Sequence, residues 1–81
     1  MTFSVIYERI SDRSFPPGYY YAHIPTLDLT THGLGIEGAR DAAKDLLRLW
    51  IEEKKSQGEP IPTDSDILYS SIEIEDAVLG T

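Results

Sequence analysis

The sequence has no cysteine, one methionine and one tryptophan, and only seven basic residues against fourteen acidic ones. Without cysteine there is no disulfide framework, no thiolate metal ligand and no thiol nucleophile. No apolar run approaches the roughly 20 residues that a membrane span needs. The first residues also lack the basic-then-apolar pattern of a secretory leader, so a cytoplasmic chain with no membrane attachment is expected. There is no internal repeat and no low-complexity segment.

The shortage of bases is uneven. Residues 36–57 hold five acids (Glu37, Asp41, Asp45, Glu52, Glu53) and five bases (Arg40, Lys44, Arg48, Lys54, Lys55). The rest of the chain has nine acids against Arg9 and Arg13 alone, so the formal net charge of −7 arises wholly outside that segment. Six of those nine acids fall between Glu59 and Asp76, with no base among them. Affinity for DNA or RNA is dominated by clustered Lys and Arg on phosphates. Direct nucleic-acid binding by this chain is therefore not expected, and a basic protein is the more natural counterpart.

What is present is one long amphipathic stretch among short β-like ones. Ile36, Ala39, Ala43, Leu46, Leu47, Trp50 and Ile51 recur at steps of three and four and form one stripe of a helix over residues 36–57. Glu37–Arg40, Asp41–Lys44 and Asp45–Arg48 add opposite charges three apart. Gly58 supplies a left-handed stop, and Pro60 and Pro62 prevent continuation. Residues 3–10 (FSVIYERI), 19–24 (YYYAHI), 27–31 and 67–75 read as strands, rich in β-branched and aromatic residues. The turn at 11–18 contains Pro16-Pro17-Gly18, which cannot pair in a ladder, and Pro25 ends the second strand. Thr31-His32-Gly33 leads into the helix. The expected fold is α+β: a single domain over residues 1–81, a two-layer α/β sandwich of order β-β-β-α-β, with an antiparallel sheet and one long helix on one face.

One helix covers one face of a sheet. Whichever way the strands are turned, the other face keeps aromatic groups, either Phe3 and Tyr7 or Tyr19 and Tyr21. Exposed apolar patches of that kind mark interfaces, so a homodimer or higher oligomer is expected, with tyrosines supplying area and a polar tip. A sheet face merely shielded by tyrosine is the alternative.

Catalytic constellations are missing. His23 and His32 are the only histidines and have neither HxH nor HExxH spacing, so no metal site is expected. Ser70-Ser71 lack the glycines of a nucleophile elbow. Gly33-Leu34-Gly35 precedes the helix without GK[ST] and enters an acidic domain, so a plain loop-to-helix turn is expected. Glu73, Glu75 and Asp76 read as a solvated strand end. No enzyme signature stands, and nothing calls for a cofactor.

The order of these pieces resembles the HicB-like antitoxins of bacterial toxin–antitoxin systems. The residues that carry the resemblance are Tyr20, Ala22, Ile24 and Pro25, then Gly33 with Glu37 and Ala39, and Gly58-Glu59-Pro60-Ile61-Pro62. It covers about residues 3–75. The family's threonine helix cap is Gly35 here, and the glutamate three residues on is Gly38, which weakens the helix start. The sequence ends at Thr81 without room for the DNA-binding domain that many members carry, so a single-domain member is expected. The resemblance implies a reduced ribonuclease-H-like fold without nuclease carboxylates that binds and blocks a small basic mRNA-cleaving toxin. An orphan oligomeric domain of the same fold, structural or regulatory, is the alternative. The residues expected at the partner or oligomer interface are Tyr19, Tyr21 and His23, with Glu73, Glu75 and Asp76 steering by charge.

Overall fold

Three antiparallel strands followed by one helix make up the fold in a computed structural model that describes residues 2–62 and 70–75. The strands are β1 (Ile6–Arg9), β2 (Tyr19–Ile24) and β3 (Leu29–Leu34), in spatial order β1-β2-β3, and the helix is α1 (Gly35–Ser56). The fold class is α+β, as the sequence implies.

Proline and glycine set the strand boundaries. β2 starts directly after Pro16-Pro17-Gly18 and stops at Pro25. Pro25–Leu27 then forms a single 3-10 turn, closed by the Asp28 N–H donating to the Pro25 carbonyl at 3.2 Å. Asp28 lies in the left-handed region at φ 52°, which reverses the chain. This turn displaces the third strand from the expected 27–31 to Leu29–Leu34. Thr31-His32-Gly33, expected to lead into the helix, instead stays in the ladder, because β2 offers a partner at every position from Ile24↔Leu29 to Tyr19↔Leu34. β1 is shorter than the expected 3–10. Its ladder runs from Ile6↔His23 to Arg9↔Tyr20, while Phe3 and Val5 continue past it and still pack on the core.

Register and period two decide which face is which. Tyr7, then Tyr20, Ala22 and Ile24, then Leu29, Thr31 and Gly33 face the helix. Ile6 and Glu8, then Tyr19, Tyr21 and His23, then Thr30, His32 and Leu34 face away. The buried cluster is small: Ala22, Ile24, Ala39 and Ala43, ringed by partly buried Phe3, Val5, Tyr7, Tyr20, Leu27, Leu29 and Leu47.

The helix lies within one residue of its expected ends. Ile36, expected on the buried stripe, is 52 % exposed, because it sits in the first turn, beyond the last residue of β3. Further along, Leu46, Leu47, Trp50 and Ile51 are only half-buried. The reason is length: 22 residues of helix span about 33 Å, whereas six-residue strands reach only about 20 Å. The C-terminal half of α1 overhangs the sheet.

The helix start lacks a side-chain cap, in keeping with glycine at position 35. Gly35 has φ 70° and its N–H donates to the Gly18 carbonyl at 2.8 Å, so backbone ties the start to the β1–β2 loop. The far end closes as a Schellman motif: Glu59 N–H to Lys54 carbonyl at 3.0 Å and Gly58 N–H to Lys55 carbonyl at 3.1 Å, with Gly58 at φ 68°. Lys54 Nζ donates to Glu59 Oε2 at 2.7 Å and lies 5.4 Å from the centre of the Trp50 ring. That hydrogen bond holds the ammonium above the ordinary lysine range. Its contribution is thus fully present at neutral pH and is lost only as pH rises through the raised value. Of the expected helix-surface pairs, Asp45–Arg48 forms at 3.7 Å between exposed groups.

The expected fourth strand at 67–75 is corrected in part. Residues 70–75 carry no strand and are exposed throughout; residues 67–69 lie outside the described residues. Alternation of Ile72 and Ile74 with Glu73 and Glu75 supplies local β character, but a strand exists only where a ladder partner does, and here none is engaged.

A close approach of helix to sheet governs the packing. A Cβ on Gly33 would lie 2.3 Å from the Gly38 carbonyl carbon and 2.5 Å from Ala39 N, whereas a Cβ on Gly38 would meet Gly33 no nearer than 3.5 Å. Gly33→Ala is therefore expected to lower unfolding free energy by at least about 2 kcal/mol, since backbone must separate from backbone. Gly38→Ala should be neutral or stabilising by up to about 1 kcal/mol through helix propensity. Urea unfolding of the two variants checks this; equal losses would contradict the asymmetry.

Candidate functional site

The sheet face turned away from α1 is the most chemically distinctive surface. Its centre is built by the turn before β2. Asp12 Oδ1 accepts from the Ser14 N–H at 2.9 Å, and the Phe15 N–H donates to the Asp12 carbonyl at 3.2 Å. This tight turn throws the Phe15 ring back over the strands. The bond from Ser14 also holds the exposed Asp12 carboxyl below the usual carboxylate range.

Phe15 meets His32 edge-on, with centroids 4.9 Å apart at 74°, and Tyr21 at 6.1 Å and 72°. Tyr19 lies 5.9 Å from Phe15 and 6.3 Å from His32. Such edge-to-face pairs each add about 0.5–1.5 kcal/mol beyond area burial, so the rings hold one another in place. Beside them His23 Nδ1 and Thr30 Oγ1 share a hydrogen bond of 2.8 Å across the β2–β3 ladder. Ile6, Glu8, Tyr21, His23 and Thr30 line a shallow cleft of about 310 Å³. Ile6 and Leu34 are exposed on the same face.

The interface residues expected from sequence divide into two groups. Tyr19, Tyr21 and His23 stand together on β2, half-buried and turned from the helix. Glu73 and Glu75 lie on the exposed 70–75 stretch, and Asp76 is outside the described residues. Sequence reading missed Phe15, placed in a turn, and His32, placed in a helix lead-in; the Asp12-Arg13-Ser14 turn signal was the available clue.

A second surface lies on the helix side. β1 is the edge strand farthest from α1, so a groove opens between residues 3–7 and the helix. Two adjoining clefts of about 330 and 400 Å³ share Phe3, Lys44 and Leu47 as lining. Arg40, Lys44, Arg48 and Lys55 line it, with Glu52 as its one acid. Bases at positions 40, 44 and 48 follow the four-residue step of one helix face. Acids stand beside the same bases: Asp45 lies 3.7 Å from Arg48, and Glu37 and Asp41 line a cleft with Arg40 and Lys44.

The His23–Thr30 pair brings a hydroxyl to a ring nitrogen across the ladder. Among the described residues, no group of three His, Asp or Glu could hold a metal ion, and no helix is long and apolar enough to cross a membrane. No protein-family model matches the chain, no curated protein matches its sequence, and no solved structure matches its fold.

Because Phe15 is the common neighbour of Tyr19, Tyr21 and His32, Phe15→Ala is expected to cost about 1–2 kcal/mol of stability. It should also loosen the tyrosine near-ultraviolet circular dichroism. An unchanged spectrum and unfolding midpoint would show that the ring does not organise the face.

Proposed function

We propose that the chain is a non-catalytic, HicB-like antitoxin module of a bacterial type II toxin–antitoxin system, acting in the cytoplasm to bind and block a small basic mRNA-cleaving toxin. The observation that carries this reading is the uncovered aromatic face of Phe15, Tyr19, Tyr21, His23 and His32 on a chain of net charge −7. Tyrosines ordered by ring contacts lose little entropy on binding and offer both apolar area and a polar tip. The acids outside the helix supply the long-range attraction and the discrimination among partners. The proposed fold is the reduced ribonuclease-H-like β-β-β-α-β arrangement, with residues 67–75 as the last strand once that segment is paired.

An oligomeric structural or regulatory domain of the same fold, without a toxin, is a second reading. It is favoured by the exposed Ile6, Leu34, Ile72 and Ile74, which a homodimer or higher oligomer would cover.

Co-expression with the adjacent reading frames, followed by affinity purification at low salt, tests the antitoxin reading. A basic protein of under about 100 residues should co-purify. Tyr19→Ala/Tyr21→Glu should weaken its capture by at least about 30-fold while circular dichroism stays native. If low-salt purification recovers no basic partner, the antitoxin reading fails.

A further inference from the structure

β3 is an edge of the sheet, and its outer side has no strand against it among the described residues. Two hydrogen bonds fix where its backbone groups point. Ile10 N–H donates to the Tyr19 carbonyl at 2.9 Å, and Gly35 N–H donates to the Gly18 carbonyl at 2.8 Å. In an antiparallel ladder, hydrogen-bonded pairs alternate with non-bonded ones. Tyr19 thus turns its backbone toward β1, and Tyr20↔Gly33, Ala22↔Thr31 and Ile24↔Leu29 are the bonded pairs between β2 and β3. The N–H and C=O groups of Thr30, His32 and Leu34 therefore point outward. All three residues are exposed, Leu34 at 62 %. Soluble proteins normally blunt such edges with charge, proline or a very short strand. β1, the opposite edge, is four residues long and carries Glu8 and Arg9, whereas β3 has six residues with neither charge nor proline.

We infer that the outer edge of β3 pairs with β3 of a second copy of this chain, antiparallel and about a two-fold axis. Charge selects this occupant. Two copies of a chain of net charge −7 repel one another unless their contact is itself uncharged, and Leu29–Leu34 is uncharged. Geometry selects the register. A two-fold axis perpendicular to the sheet keeps both helices on one face and sets each residue against a fixed partner. Centred on His32, it sets His32 against its own copy and Thr30 against Leu34. Every outward N–H and C=O then finds a partner. A centre one residue earlier, at Thr31, would set Leu34 against Asp28, whose left-handed backbone lies outside the strand. The two three-stranded sheets become one of six strands, and Leu34 packs across the junction on Thr30. The rings of Phe15, Tyr19, Tyr21 and His32 from both copies then lie along one continuous face. The pairing is made by the edge and not by those rings, so it is independent of the antitoxin reading.

Sedimentation equilibrium on the purified full chain, with no other protein present, tests it. The wild-type chain should dimerise. Thr30→Glu/Leu34→Glu sets like charges opposite each other twice per dimer and should raise the dissociation constant about tenfold. Both side chains are exposed in the single copy, so circular dichroism at low concentration should stay native. Thr30→Lys/Leu34→Glu sets opposite charges at the same two points and should restore the dimer. Single cysteines report the register without background, since the sequence has none. His32→Cys brings two Cα atoms about 5.5 Å apart, within disulfide reach, and should cross-link under mild oxidation. Leu34→Cys, about 14 Å from its copy along the strands, should not. A wild-type chain that stays monomeric up to about millimolar concentration, near the weakest affinities that count as specific, overturns the inference. So does a dimer that tolerates the two glutamates, one that both double variants weaken alike, or cross-linking through Leu34→Cys in preference to His32→Cys.

Discussion

A helix can lie against a sheet at near backbone contact only where both surfaces are made of small residues, and here they are. Gly33 of β3 sits under Gly38 and Ala39, while Ala22 of β2 is fully buried with Ala39 and Ala43. Small residues bring the layers close but contribute little apolar area each. Ile24 is the one large side chain fully buried in the cluster. The first half of α1 is thereby clamped to β2 and β3, and the rest of the molecule is arranged by what that clamp leaves uncovered.

Three surfaces are left. The far side of the sheet has no layer over it among the described residues, and aromatic rings fill the space where a second helix would pack. The β1 side of the helix layer is a groove, because the clamp draws α1 toward β3. The overhanging helix end exposes Leu49 at 66 % and is closed by its own Schellman turn and the Lys54–Glu59 contact rather than by the sheet. Charge follows the same division. Bases gather along the groove, acids gather after the helix, and the aromatic face carries little of either sign. A chain of this size cannot bury all its apolar surface alone, and both proposed partners act on what remains.

Much of this is legible in the residues. β2 is bounded by Pro17-Gly18 and Pro25, and α1 by Gly35 and Gly58, so punctuation alone places both. β3 is less legible, because a proline-initiated turn and a left-handed aspartate move its start, and His32 reads as a lead-in until the ladder is seen to continue. The 70–75 stretch shows the limit of local pattern: β-branched alternation states a capacity to pair, not the presence of a partner. Gly38 reads as a weakness of the helix start, and so it is in propensity; the close approach itself asks for glycine at Gly33, since a Cβ on Gly38 would meet Gly33 no nearer than 3.5 Å. Phe15 was hidden for a different reason. Its contacts come from chain reversal, which brings together residues that no periodicity links. The sheet face of Tyr19, Tyr21 and His23 could be named in advance only as one of two alternatives, since the choice depends on where a single helix lands.

Amide hydrogen exchange on the dilute chain reads the clamp directly, because protection reports which hydrogen bonds open only with global unfolding. A helix held by its first half should show its slowest amides from Ala39 to Leu47, together with those of β2. Exchange from Leu49 to Ser56 should then be at least about tenfold faster, in the range of local opening. Uniform protection along the whole of α1, or the slowest amides in its C-terminal half, would contradict a fold anchored at Gly33 and the buried alanines.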